Sequence, residues 1–181
     1  MKRIIEFAHD IIKNCVNNED VCVDMTIGNG NDTLFLSSIC KFVYGFDIQQ
    51  IALDNTSKLL KDNQKSNYQL FLSSHDNVDK FIKEEIKAFI FNLGYLPKGD
   101  KNITTNYIST INAINKALSL LKINGVIVLV IYPGHHEGSI ESNEVKKYVS
   151  TLNQKQYDVV SYNFINQINN PPYVIVIERK S

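Results

Sequence analysis

The sequence has no surplus charge of either sign: nineteen lysines and arginines balance nineteen aspartates and glutamates over 181 residues. That excludes a general cationic coat for nucleic acid and leaves room only for a local basic patch. Arginine is scarce, present only as Arg3 and Arg179, beside seventeen lysines. With 23 isoleucines and 21 asparagines this is the residue usage of an AT-rich genome, and it names no partner. No run approaches the roughly 18 uninterrupted apolar residues of a membrane span. The opening segment breaks its apolar stretch with Lys2, Arg3 and Glu6, unlike a secretory signal peptide. Cysteine is limited to Cys15, Cys22 and Cys40, an odd number in apolar surroundings without metal-ligand spacing. These read as reduced core thiols, and no metal site is expected. Repeats, linkers and low-complexity tracts are missing too. What remains is one cytoplasmic domain, residues 1–181, whose 44% apolar content suffices for a core.

Apolar periodicity divides that domain. Ile4, Ile5, Ala8, Ile11, Ile12 and Cys15 recur at helical spacing over 4–16, closed by Asn17-Asn18. Residues 21–25 are a short apolar run that meets glycines at 28 and 30, a buried strand entering a turn. Residues 33–39 read as helix, 42–47 as a second strand ending on an acid, 49–63 as helix and 68–72 as a third strand. Residues 88–91 lack alternation, as a strand buried on both faces does. Residues 104–121 carry Ile108, Ile111, Ile114, Ala117, Leu118 and Leu121 on one stripe, a helix ended by Asn124-Gly125. Residues 126–131 form the fifth strand and 141–152 a helix; 157–164 and 173–178 are two antiparallel strands joined by a Pro-Pro turn. The alternation predicts an α/β, Rossmann-like, seven-stranded, mostly parallel sheet with an antiparallel edge strand and helices on both faces. Ligands of such sheets sit beyond the carboxyl ends of the strands, where strand order switches.

The residues that follow each strand are therefore the candidates. After the first come Asp24, Gly28, Asn29, Gly30, Asn31 and Asp32, where glycines let backbone approach a ligand and the next helix offers free N–H groups. The dehydrogenase pattern Gly-x-Gly-x-x-Gly fails, because residue 33 is Thr. After the second comes Asp47, which can accept both hydroxyls of a ribose or cap a helix. After the third come His75 and Asp76, placed to meet an adenine amino group. After the fourth come Asn92 and Tyr95, an amide oxygen that can hold an amino group and a ring that can wall the pocket. After the fifth come His135 and His136, credible as substrate contact or proton acceptor because imidazole titrates near neutrality. Three acids at three successive strand ends, with glycines at the first, make a nucleoside pocket.

Five segments carry a more specific resemblance: residues 23–33, 45–49, 92–97, 132–135 and 166–172. They are similar to the YtqB/MnmM family of small class I S-adenosylmethionine-dependent methyltransferases, over nearly the whole chain and in order at strand ends. The resemblance implies transfer of a methyl group to the amine of 5-aminomethyl-2-thiouridine at the tRNA wobble position. It implies tRNA as the partner, S-adenosylmethionine as the cofactor and no membrane, with a homodimer left open. It also implies a cofactor site lined by Asp24, Gly28, Asn29, Gly30, Asn31, Asp47, Gln49, His75 and Asp76, with Asn92, Tyr95 and His135 facing the amine. Two positions depart from the family pattern: Thr26 replaces the first glycine of the turn, and Lys98 stands where a glycine is usual.

An alkyl amine with a lysine-like pKa of about 10 must lose a proton before it can attack, and His135 or Asp32 is placed to take it. Asn170-Pro171-Pro172-Tyr173 matches the Asn-Pro-Pro-Tyr signature of amino-group methyltransferases, yet it lies between the last two strands. The expected catalytic segment is therefore 92–95, with Asn166, Asn169, Lys98, Lys101, Lys146 and Lys147 as candidate RNA contacts. Rival readings are an rRNA or small-molecule methyltransferase, a nicotinamide-dependent oxidoreductase and a non-catalytic nucleotide-binding module.

Overall fold

The computed structural model describes residues 1–94 and 106–181. Its elements run α1 (Ile4–Cys15), β1 (Val21–Asp24), α2 (Asn31–Ser37), β2 (Phe42–Asp47), α3 (Gln50–Asp62) and β3 (Tyr68–Leu72). A 3-10 turn (His75–Asn77), α4 (Val78–Phe81), β4 (Ile86–Leu93), α5 (Tyr107–Leu120) and β5 (Leu121–Ile131) follow. The chain then runs through α6 (His136–Val149), β6 (Tyr157–Tyr162) and β7 (Tyr173–Arg179).

Among the described residues seven strands make one sheet in the order β3-β2-β1-β4-β5-β7-β6. The chain lays β1, β2 and β3 outward in one direction and then returns to build from β4 in the other, so the switch in strand order falls between β1 and β4. β1 to β5 pair in parallel, whereas β7 runs antiparallel to both β5 and β6. The single reversed strand thus lies one place in from the edge, and β6 closes the sheet in the common direction.

Side chains alternate across a strand, so successive residues feed opposite faces. In β4, Phe89 and Phe91 pack into one core with Ala113, Ile114 and Ala117 of α5 and Val145 and Val149 of α6. Ala88 and Ile90 of the same strand face the other core, with Ala8 and Ile12 of α1 and Leu36 of α2. The strand is apolar on both faces because helices cover both, and that is why it shows no alternation in sequence.

Several boundaries and one element differ from the sequence reading. Asn124 does adopt a left-handed conformation, at φ 58°, but inside the start of β5 rather than at a helix cap. The β4–β5 register slips there between Ile86 and Ala88, and Gly125 is pressed so close that a Cβ would meet two carbonyl oxygens, of Lys122 and Lys87, at 2.8 Å each. Helix α6 starts at His136, five residues before the expected start, because the His135 imidazole caps it by accepting from the Gly138 N–H at 3.2 Å. Finally, the short turn and helix over 75–81 cover too few residues to leave a 3.6-residue period.

Candidate active site

A cavity of about 1100 Å³ opens at the carboxyl ends of β1 to β5, on the switch in strand order. Its volume is at the upper end for small-molecule sites, enough for a nucleoside ligand and a second reacting group.

The β1 turn is braced from below by Asp24. This carboxylate has no exposed surface; it accepts from the Thr26 N–H at 3.1 Å and from the Thr33 hydroxyl at 2.6 Å. Burial, aided by the charge of nearby Asp32 and opposed by those two hydrogen bonds, pushes its pKa up to about 7. Asp24 therefore holds the turn without reaching the cavity wall. Gly28 and Gly30 take φ values of 54° and 79°, and only Gly28 lines the cavity. Gly30 caps α2 where a Cβ would come within 2.5 Å of the Thr56 hydroxyl oxygen of α3. Its role is close packing of α2 on α3.

Asp47 ends β2 on the cavity wall and ties two turns together. One carboxylate oxygen accepts from the Gly28 N–H at 3.0 Å, the other from the Gln49 N–H at 2.9 Å. Asn29, Asn31 and Gln49 share that wall. Beyond β3, His75 is buried; its Nδ1–H donates to the Met25 carbonyl at 3.2 Å, which leaves the lone pair on Nε2. Nε2 is buried with no hydrogen-bond partner among the described residues, and burial pushes the imidazole pKa down, so the ring is neutral at physiological pH. Asp76 lies off the wall, its carbonyl engaged by Lys116 of α5.

At the end of β4 the Asn92 N–H donates to the Thr26 hydroxyl oxygen at 2.6 Å, joining the two central strand ends. The Asn92 side-chain Nδ2 donates to Asp32 Oδ2. Asp32 Oδ1 in turn accepts from His9 Nε2 at 2.6 Å, and the His9 ring stacks on Phe35 at 3.9 Å. The Tyr132 hydroxyl makes a long 3.5 Å contact to Asn92 Oδ1. Burial, reinforced by the Asp32 charge, raises the Tyr132 pKa, so the phenol stays protonated as a donor. Asn92, Asp32 and Tyr132 line the cavity together with His135, whereas His136 and His9 do not. Tyr95, Lys98 and Lys101 lie outside the described residues.

The structure thus brings together on one wall Gly28, Asn29, Asn31, Asp32, Asp47, Gln49, His75, Asn92 and His135, and leaves Asp24, Gly30 and Asp76 behind it. Sequence reasoning missed His9 and Tyr132. His9 sits on an amphipathic helix with an ordinary surface signature, and only the 23-residue separation from Asp32 brought together by folding reveals it. Residues 169–172, between β6 and β7, also reach the cavity rim, so the Asn-Pro-Pro segment faces the site without occupying the end of β4. No cluster of three potential metal ligands occurs among the described residues.

Comparison with known proteins fits this arrangement. A protein-family model described as "Putative rRNA methylase" matches residues 43–178. The chain is 31% identical over 194 residues to a chloroplastic tRNA (mnm5s2U34)-methyltransferase of Arabidopsis thaliana, covering 99% of this chain and 71% of the relative. It is 43% identical, at TM-score 0.97 and covering 99% and 98% of the two chains, to a crystal structure from Clostridium thermocellum described as a putative rRNA-methylase. A putative methyltransferase from Streptococcus mutans, crystallised in complex with SAH, is 39% identical at TM-score 0.94, with 99% of each chain covered.

Proposed function

This chain belongs to the rRNA methylase family of S-adenosylmethionine-dependent methyltransferases, and from that premise we propose that it methylates the amine of 5-aminomethyl-2-thiouridine at the wobble position of tRNA. The product is 5-methylaminomethyl-2-thiouridine. The observation that carries the reading is the Asn92 amide at the end of β4, which lines the cavity with its nitrogen spent on Asp32 and its oxygen in a long contact with the Tyr132 hydroxyl. A carbonyl-type oxygen has two lone pairs, so one is free for an acceptor amine N–H even with Tyr132 in contact.

The residues present fit S-adenosylmethionine. His75 Nε2, buried and unpartnered beside the cavity, needs a donor, and an adenine amino group is one. Asp47 keeps lone pairs for ribose hydroxyls beyond the two backbone N–H groups it already holds. Asn29, Asn31 and the β1 turn would hold the methionine end. The cofactor supplies an electrophilic methyl group on a sulfonium.

This chain's own residues do the rest. Asn92 Oδ1 holds the amine by one hydrogen and so aims its lone pair; orientation of this kind is worth about 7–11 kcal/mol in well-ordered systems. Asp32, facing the same wall, is placed to take a proton from the ammonium, and the cavity, by excluding water, favours the neutral amine. His135 borders the same space from the start of α6 and is the alternative acceptor.

The family's name supports rRNA as the second reading. One experiment separates them: labelled S-adenosylmethionine is incubated with tRNA and with rRNA from cells lacking the modification, followed by nucleoside mass spectrometry. Label in 5-methylaminomethyl-2-thiouridine supports the proposal. Label in an rRNA nucleoside supports the second reading, and label in neither RNA rejects both.

A further inference from the structure

Asp32 is the hinge of the site. Its side chain is only 10% exposed, it repels the fully buried Asp24 behind it, and both its oxygens are engaged. If the Asp32 carboxylate turned away from Asn92, the amide nitrogen would lose its acceptor and the amide could turn over. The Asn92 nitrogen would then face the cavity, a donor opposite the N–H groups of an amine. One hydrogen-bond donor stands against this outcome: His9, whose Nε2 lies 2.6 Å from Asp32 Oδ1.

We propose that His9 is a positioning residue of the transfer step. By donating to Asp32 Oδ1 it fixes the orientation of that carboxylate, and the carboxylate locks the Asn92 amide with its nitrogen inward and its oxygen toward the acceptor. The role rests on the amine-acceptor reading above, because only a donor acceptor group needs the amide that way round.

The surroundings leave this task to His9. Phe35 of α2 stacks on its ring 3.9 Å away, nearly parallel, and fixes its plane. From β5 comes Tyr132, a neutral donor directed at Asn92 rather than at Asp32. β1 contributes only Asp24, of the same charge sign, and β7 presents Val174 and Val176 to this face. From β6 the Tyr162 hydroxyl donates to the Lys2 carbonyl. Along α1 itself the charged groups are Glu6, Asp10 and Lys13; Asp10 is paired with Lys2, and Glu6 accepts from the Arg3 N–H. His9 is not on the cavity wall, so it acts through Asp32 and touches no substrate.

Two variants separate donation from packing. His9→Phe keeps a ring for the Phe35 stack and removes the N–H; His9→Gln keeps an N–H and removes the ring. The cofactor-free protein is read first, by NMR of the Asn92 side-chain amide. In the wild type and His9→Gln those protons should be shifted and slow to exchange at pH 7; in His9→Phe they should be free. The second reading is transfer to the amine-bearing tRNA. His9→Phe should lose about 10–100-fold in kcat at pH 7, with KM and cofactor affinity nearly kept. His9→Gln should stay near wild type. Equal losses in both variants, a loss in KM rather than kcat, or wild-type transfer in His9→Phe overturns the lock. A locked amide in a wild-type enzyme that methylates no RNA amine supports the lock and overturns the substrate reading.

Discussion

Asp24→Asn should make the protein more stable at pH 8 and leave it nearly unchanged at pH 4. The wild-type carboxyl has no exposed surface and its pKa is pushed up from 3.8 to about 7, chiefly by burial and next by the Asp32 charge. In the unfolded chain it ionises near pH 4, so between those values the folded state binds the extra proton. Stability therefore falls as pH rises through that window and stays lowered above it. A shift of about three units corresponds to about 4 kcal/mol at 1.36 kcal/mol per unit, as an upper bound. Asparagine removes the titration and keeps the brace: its oxygen can accept from the Thr26 N–H, and its nitrogen can donate to the Thr33 hydroxyl. Urea unfolding of both proteins from pH 4 to pH 9 reads the effect directly. The stability of the variant minus that of the wild type should climb by several kcal/mol between pH 4 and pH 7 and then level off. A flat difference, or one that falls with pH, would refute the argument that Asp24 is an acid held against its preference. Because Asp24 stands behind the cavity wall, cofactor affinity should change less in this variant than in Asp47→Ala.

Asp47→Ala should lower cofactor affinity at least about tenfold by calorimetry, since it removes the ribose acceptor and frees the Gly28 and Gln49 N–H groups that shape both turns. Asn92→Ala should cut single-turnover methyl transfer sharply with cofactor affinity nearly kept, whereas Asn170→Ala, on the rim between β6 and β7, should act mainly on KM; the reverse order would place the chemistry on the other segment. Gly30→Ala should destabilise by about 1–3 kcal/mol in thermal or urea unfolding, because a left-handed φ of 79° is combined with a 2.5 Å approach to Thr56, and Thr56→Ala should recover part of that loss. Binding of tRNA should weaken with salt at a slope of about −0.7 to −0.9 per phosphate contact, and a salt-independent affinity would argue for a small-molecule substrate.

The fold was legible because its signals are local. β4 and β5 announce themselves as unbroken apolar runs, a pattern that both covered faces produce by the same physical cause. α1 keeps a helical stripe because only one of its faces meets the sheet. The boundaries that moved are those set by tertiary contact. Asn124-Gly125 has the composition of a helix cap, yet it became a bulge inside β5 because β4 lies alongside and Lys87 reaches the Asn124 carbonyl at 2.6 Å. The α6 start was hidden because its cap is a histidine, which carries none of the Ser, Thr, Asp or Asn signal that marks a helix N-terminus.

The candidate site divides along the same line. Residues that follow a strand inherit their position from the sheet, so Asp47, His75, Asn92 and His135 could be named from order alone and do reach one wall. Residues that serve those residues have no such address. Asp24 ends a strand as the others do, but its carboxylate points to Thr26 and Thr33, and no sequence pattern says whether a strand-end acid turns outward or in. Asp32 and Asn92 are 60 positions apart and meet only because β1 and β4 are neighbours at the switch in strand order. His9 is a further step removed, joined to Asn92 through Asp32 alone. Strand order therefore predicts which groups can touch a ligand, while the charge and orientation of those groups are decided by partners that only the folded chain brings near.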